Sequence, residues 1–269
     1  MPSGTRGTLD IMGGTDRQPE SPFPGRPVLD DPAGVPVKAS ATVLVVRPKP
    51  PVTGETVSDL GPQSPPEVLL LRRNDRSGFV AGVHLYPGGA VDDDDAHIPL
   101  SVSDLAPIDR LAIAAAAREC FEEAGILLAH TADAAWATEE HISRFGAEEP
   151  FSDALRRLGL TVPAPRFVPW GRWVTPLGAP RRYDTRFFVV QAPPKAVIRV
   201  DGREIVDGSW WDPATALAAE QAGELRFVTP TRKTLERLAG EGWVPPGEAI
   251  VPWRRVGPAE HQGRGLARR

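Results

Sequence analysis

The residues best equipped for chemistry are Arg118-Glu119-Cys120-Phe121-Glu122-Glu123-Ala124-Gly125. On a helix each residue turns by about 100°. Glu119, Glu122 and Glu123 then share one face, and Ile113, Ala117, Cys120, Phe121 and Ala124 fall opposite. Like charges at i, i+3 and i+4 repel by a few tenths of a kcal/mol per pair. They also sit in the last helical turn, where the helix dipole disfavours anions. A divalent cation would relieve both penalties. Hard oxygen ligands suit Mg²⁺ or Mn²⁺, which need few carboxylates and complete their shell with water and phosphate oxygens. Arg118 lies beside Glu122 on the wheel and can orient a carboxylate by a charge-assisted hydrogen bond. The competing reading is a solvated acidic face. The glycine stop at Gly125 and the upstream loop Pro87-Gly88-Gly89 weigh against it.

The helix that carries these residues is predicted over 107–124. It is alanine-rich, has Pro107 at its start and meets Gly125 at its end. Strands are expected at 37–47 and 67–72, joined by the Pro-rich stretch 48–66 as a hairpin with a long connection. The segment 79–91 reads as a strand end running into a loop, followed by the acidic cluster Asp92 to Asp95. Shorter helices are expected at 133–145 and 151–158, and strands at 187–191 and 204–211. Two further helices, 213–221 and 230–239, each have Pro at a plausible first position. Strands first, then a helix, then both interleaved, suit an α/β sandwich with a mixed sheet. Residues 1–36 read as a disordered leader, 37–252 as one domain and 253–269 as a basic flexible tail.

Bulk composition narrows the function. The 269 residues are 41% apolar and 25% charged, ordinary for a globular protein. A net charge of −4 gives no ground for nucleic-acid or membrane binding. The single cysteine, Cys120, excludes an intrachain disulfide and a cysteine-based zinc site. A reducing cytoplasm is the expected location. No apolar run approaches the length of a membrane span, and the N-terminus lacks a secretory pattern.

The sequence resembles the Nudix hydrolases, whose box reads G-x5-E-x7-R-E-U-x-E-E-x-G-U with U bulky and apolar. Arg118 to Ile126 match its second half, with Cys120 taken as apolar. Pro87-Gly88-Gly89 match the start. Between Gly89 and Arg118 lie 28 residues where the box has 13, so this chain carries 15 extra. The box's first Glu has no clear counterpart; Asp92 to Asp95 are stand-ins. A long insert within the box is similar to the coenzyme A diphosphatase branch known as Nudix motif 19. The segments Leu69 to Arg73, Gly78 to Gly89, Trp170 to Gly178 and Arg181 to Phe188 add to that likeness. In the coenzyme A signature, Gly82 and Tyr86 to Gly89 are suitably spaced, with Tyr for Phe. Its Arg falls on Gly78, with Arg76 nearby.

The resemblance implies an α/β/α Nudix sandwich and attack by metal-activated water on a diphosphate. It implies that Glu119, Glu122 and Glu123 ligate Mg²⁺ or Mn²⁺, that Gly88 adds a loop carbonyl, and that Arg118 orients them. A carboxylate must take the water proton: Glu119, Glu122 or, from a later loop, Glu204. Arg172, Arg181, Arg182 and Arg186 are candidates to grip phosphate, with Tyr183, Trp170 and Trp173 candidates to stack on a base. The expected partner is a small nucleoside diphosphate derivative, with coenzyme A or acyl-coenzyme A first. ADP-ribose, a dinucleotide or a nucleoside triphosphate is the alternative. A non-catalytic Nudix-like nucleotide-binding module is the reading from another class. A homodimer is compatible with the sequence.

Overall fold

The computed structural model describes residues 34–49, 66–76, 81–101 and 105–241. The expected leader, up to residue 33, and the expected tail therefore lie outside the described residues, as do Gly78 to Val80.

A mixed sheet organises the chain. Its strands are β1 Val37–Arg47, β2 Glu67–Arg73, β3 His84–Leu85, β4 Gly88–Ala90, β5 Val168–Val174, β6 Arg182–Gln191 and β7 Ile205–Trp211. The order is β3-β2-β1-β6-β5, with β4 also on β1 and β7 also on β2. Strand β1 is the spine. It runs parallel to β6 from Val37↔Arg182 to Val46↔Gln191. Its other edge is shared. Its first half pairs with β4, from Ser40↔Ala90 to Thr42↔Gly88. Only its end meets β2, at Val46↔Val68 and Arg47↔Glu67.

The expected β1–β2 hairpin is therefore a two-pair contact. The apolar run Val43 to Val46 is fully buried. Such a strand belongs inside a sheet with partners on both edges, and β6 supplies the long one.

Period-two alternation makes the sheet two-faced. Val43, Val45, Leu69, Leu71, Phe188 and Val190 pack with helix α1 (Pro107–Ala124). Leu44, Val46, Val68, Leu70, Phe187 and Val189 pack with α4 (Pro213–Gln221) and α5 (Thr229–Glu241). Burying each such side chain contributes about 1.5–3 kcal/mol. The result is the expected α/β/α sandwich. Among the described residues no helix is long and apolar enough to cross a membrane.

Helix α1 departs from the simple two-faced wheel. Ala112, Ala114, Ala115, Ala116 and Ala117 are wholly buried. Its outer side is covered by the following stretch, including Phe151, Leu155, Leu160 and Phe167. Hence the alanines: a helix walled on both sides has no room for larger side chains. Gly125 ends it in the left-handed region, φ 67°, and its N–H donates to the Phe121 carbonyl.

Two expectations change. Of the helix foreseen at 133–145, only α2 (Glu139–Ile142) forms. Upstream, the Thr131 hydroxyl bonds Asp133 and the Ala135 carbonyl, and Ala134 takes φ 62°. Such local side-chain bonds compete with helix. Strand β5 escaped notice because Pro169 and Gly171 interrupt it, and its register with β6 shifts between them. Helix α3 (Phe151–Leu158) forms as expected.

Ala116→Leu is expected to overpack the α1–sheet seam and cost about 1–3 kcal/mol, read as a lower urea midpoint without change in slope.

Candidate active site

The last turns of α1 lie against β4. A Cβ on Gly88 would stand 2.5 Å from the Ala41 carbonyl oxygen, and one on Gly89 2.3 Å from Glu119 Oε1. At Gly88 the clash is with β1 backbone, so that position requires glycine; at Gly89 a side chain would displace the Glu119 carboxylate from the sheet. The Gly88 amide donates to Glu123 Oε2 at 2.9 Å.

Arg118 uses all five of its N–H groups. Nε and Nη2 hold the Asp95 carboxylate at 2.8 and 3.1 Å. Nη1 donates to Glu119 Oε1 at 2.8 Å and Glu122 Oε2 at 3.0 Å. Nη2 also donates to the Ala90 carbonyl at 3.0 Å. Burial alone would lower the guanidinium's proton affinity. The hydrogen bond to Asp95 and the charges of Glu119, Asp95 and Glu122 outweigh it and hold the group above its ordinary range.

Asp95 belongs to a 3-10 turn, Asp93–His97, and bonds back to the Asp92 N–H at 2.7 Å. It stands six residues after Gly89. That is the spacing of the box's first carboxylate, with Asp in place of Glu. The chain's 15 extra residues therefore fall between Asp95 and Arg118. The spacing was visible in the sequence, but four consecutive aspartates hid which one it selects.

Electrostatics leave the three glutamates underneutralised. Burial raises Glu119 and Glu122 above the usual carboxylate range, against the pull of Arg118. Glu123 is pushed up to about 8, chiefly by burial; the Gly88 N–H opposes this, while the charges of Glu119 and Glu204 add to it. Glu122, half exposed, is the most open of the three. Clustered carboxyl groups whose ionisation is held back for want of positive charge, and which are hard oxygen donors, fit a divalent cation. Among the described residues no three acidic side chains already close around one point. Glu119 and Glu122 lean on Arg118, and Glu123 on the Gly88 amide.

These carboxylates form one wall of a cleft of about 920 Å³. Ser40 to Thr42, Gly88 to Ala90, Arg73, Arg76, Arg203, Glu204, Arg181 and Tyr183 also line it. Glu204 is 58% exposed and ion-paired to Arg73 at 3.0 Å.

The structure does not bring Arg172, Arg182 or Arg186 to the cleft lining. Arg172 grips Asp184 with both Nε and Nη2, at 2.7 and 2.6 Å. Arg186 is 2% exposed and paired with Asp109 at 2.5 Å. Arg182 is buried, with Nε toward the Thr175 carbonyl at 3.4 Å. Alternation along β6 sets this division: even positions 182, 184 and 186 turn inward, and Tyr183 and Thr185 turn to the cleft. Trp170 is buried under the Arg237 guanidinium, 3.8 Å from its ring centre, and Trp173 packs on the same core. Arg73, Asn74, Arg76 and Arg203 were not foreseen as cleft residues. They sit at strand ends brought together only by the β2–β7 pairing.

The family model described as the NUDT19 Nudix domain matches residues 100–238. The chain belongs to this Nudix family. Acyl-coenzyme A diphosphatase NUDT19 of Xenopus laevis is 24% identical over 225 residues, covering 64% of this chain and 59% of that protein. The Gallus gallus protein of the same name is 27% identical over 231 residues, covering 64% and 61%. The chain thus spans less than two thirds of these relatives' length. A crystal structure of a Nudix hydrolase from Alicyclobacillus acidocaldarius is 27% identical, with a TM-score of 0.61, covering 76% of this chain and 92% of that one.

Asp95→Ala is expected to strand Arg118 in a buried site and cost about 3–5 kcal/mol, measured by urea unfolding. A second test uses pH. The Glu123 carboxyl is raised on folding, so its contribution is fully present below its ordinary value of 4.5 and is lost as pH rises through about 8. In metal-free protein, Glu123→Gln is therefore expected to gain thermal stability over the unsubstituted chain as pH goes from about 5 to about 9. Parallel melting curves across that range would contradict this.

Proposed function

We propose that the chain is a metal-dependent diphosphatase acting on coenzyme A or acyl-coenzyme A. The observation that carries the reading is the wall of Glu119, Glu122 and Glu123, packed against Gly88-Gly89, in a cleft that arginines also line. The names of the NUDT19 relatives support the substrate class.

In this reading Glu119, Glu122 and Glu123, with the Gly88 carbonyl, hold Mg²⁺ or Mn²⁺. When bound, the metal neutralises diphosphate charge and makes water a better nucleophile. The chain's own residues do the rest. Arg118 fixes the rotamers of Glu119 and Glu122, so the ligands are held before substrate arrives. Arg73 and Arg181 line the cleft where phosphate oxygens would lie, and a guanidinium matches them bidentately. Tyr183 offers a ring for the base. Glu204 is the chosen proton acceptor. Glu119 and Glu122 already accept from Arg118, whereas Glu204 is solvent-facing, ion-paired among the described residues to Arg73 alone, and close enough to bear on Glu123. The expected products are a phosphopantetheine-type and a 3′,5′-ADP-type fragment.

The test is turnover with Mg²⁺ or Mn²⁺ of coenzyme A, octanoyl-coenzyme A, ADP-ribose, NADH and dGTP. Preference for the first two is expected. Preference for ADP-ribose or dGTP sinks the coenzyme A reading, and no turnover of any sinks the enzyme. Glu204→Gln is expected to lower kcat by about 10²-fold or more with metal affinity unchanged. An undiminished kcat would remove Glu204 from the reaction.

A further inference from the structure

The 3-10 turn that carries Asp95 is held by a second element besides α1. A few residues of 3-10 helix have poor hydrogen-bond geometry and little stability alone, yet Asp95 must stand still for Arg118. Its neighbour Asp94 binds elsewhere. Asp94 Oδ1 accepts the Ser152 hydroxyl at 2.7 Å, and Oδ2 accepts the Ser152 N–H at 3.3 Å. Ser152 is buried in the first turn of α3, whose own N-cap, Pro150, offers no side-chain acceptor. Asp94 therefore caps α3 from a distant part of the chain, at the helix end where the dipole favours a carboxylate. Further along α3, Arg156 Nη2 donates to the His97 carbonyl at 2.5 Å. The insert continues onto the residues that follow α3: the Pro99 carbonyl accepts the Val162 N–H at 2.9 Å, and the Ser101 N–H donates to the Val162 carbonyl at 3.0 Å.

The same turn of α3 also reaches α1. The Phe151 ring lies 5.6 Å from that of Phe121, the residue before Glu122. Residues 151 and 152 thus bridge the acidic helix and the turn that supplies Asp95, the two parts that Arg118 joins. Among the described residues of the insert none lines the cleft. We propose that Ser152 and Asp94 are positioning residues for the acidic wall: they hold Asp95 on Arg118, and Arg118 sets Glu119 and Glu122. The insert, docked on α3, braces that wall from outside the cleft. The consequence for metal binding rests on the diphosphatase reading; the bracing geometry does not.

Two readouts test this apart from turnover. The first is titration calorimetry of the full chain with Mn²⁺. Ser152→Ala deletes one buried hydrogen bond and is expected to weaken Mn²⁺ binding about fivefold. Asp94→Ala is expected to do the same, and Asp94→Asn, which can still serve both Ser152 groups, to restore most of the loss. Leu235→Ala, in the core under α5, is expected to lower the urea midpoint further yet leave Mn²⁺ affinity unchanged. The second readout is the Arg118 Nε proton resonance in metal-free protein, set by its bond to Asp95. It is expected to shift in Ser152→Ala and not in Leu235→Ala. An unmoved Arg118 resonance overturns the proposal. So does an unchanged affinity in Ser152→Ala, or an equal loss in Leu235→Ala. A shifted resonance in a chain that binds no Mn²⁺ at all would sink the metal reading and uphold the brace.

Discussion

The site hangs on the buried Arg118 guanidinium. Each of its five N–H groups has an acceptor, and those acceptors come from three places in the chain: the 3-10 turn through Asp95, strand β4 through the Ala90 carbonyl, and its own helix through Glu119 and Glu122. A buried cation with a missing partner is strongly destabilising. The arrangement is therefore close to all-or-none. When it forms, the glycine strand, the acidic helix and the 3-10 turn are locked into one geometry, with the Glu119 carboxylate lying over Gly89.

The sheet decides where the cleft opens. Strand β1 gives its first half to β4 and only its last residues to β2. The ends of β2 and β7, with their arginines and Glu204, therefore join the acidic wall in lining one cleft. The cleft lining combines the glutamate wall with guanidinium groups, and Arg73, paired with Glu204, bears electrostatically on Glu123. That combination suits a metal and a polyanion meeting there.

Much of this was legible in the sequence. The bounds of α1, from Pro107 to the glycine stop, follow from capping chemistry, and the shared face of Glu119, Glu122 and Glu123 from helix geometry. The run Val43 to Val46 announces a buried strand. What stayed hidden depends on long-range contacts. That α1 is walled on its outer side by residues such as Phe151 and Leu155 has no local signal. Arg172 and Arg186 look like free phosphate ligands until Asp184 and Asp109 are seen to claim them. Asn74 looks like a turn residue until β7 places Arg203 beside it.

The central claim is that the acidic wall holds a divalent cation. The most direct measurement is anomalous diffraction at the manganese edge from crystals of the chain grown with Mn²⁺. The account predicts anomalous density within about 2.0–2.4 Å of carboxylate oxygens of Glu119, Glu122 or Glu123, on the cleft side of Gly88. Density elsewhere, or ordered crystals with these glutamates still turned to Arg118 and Gly88 and no manganese between them, would contradict it.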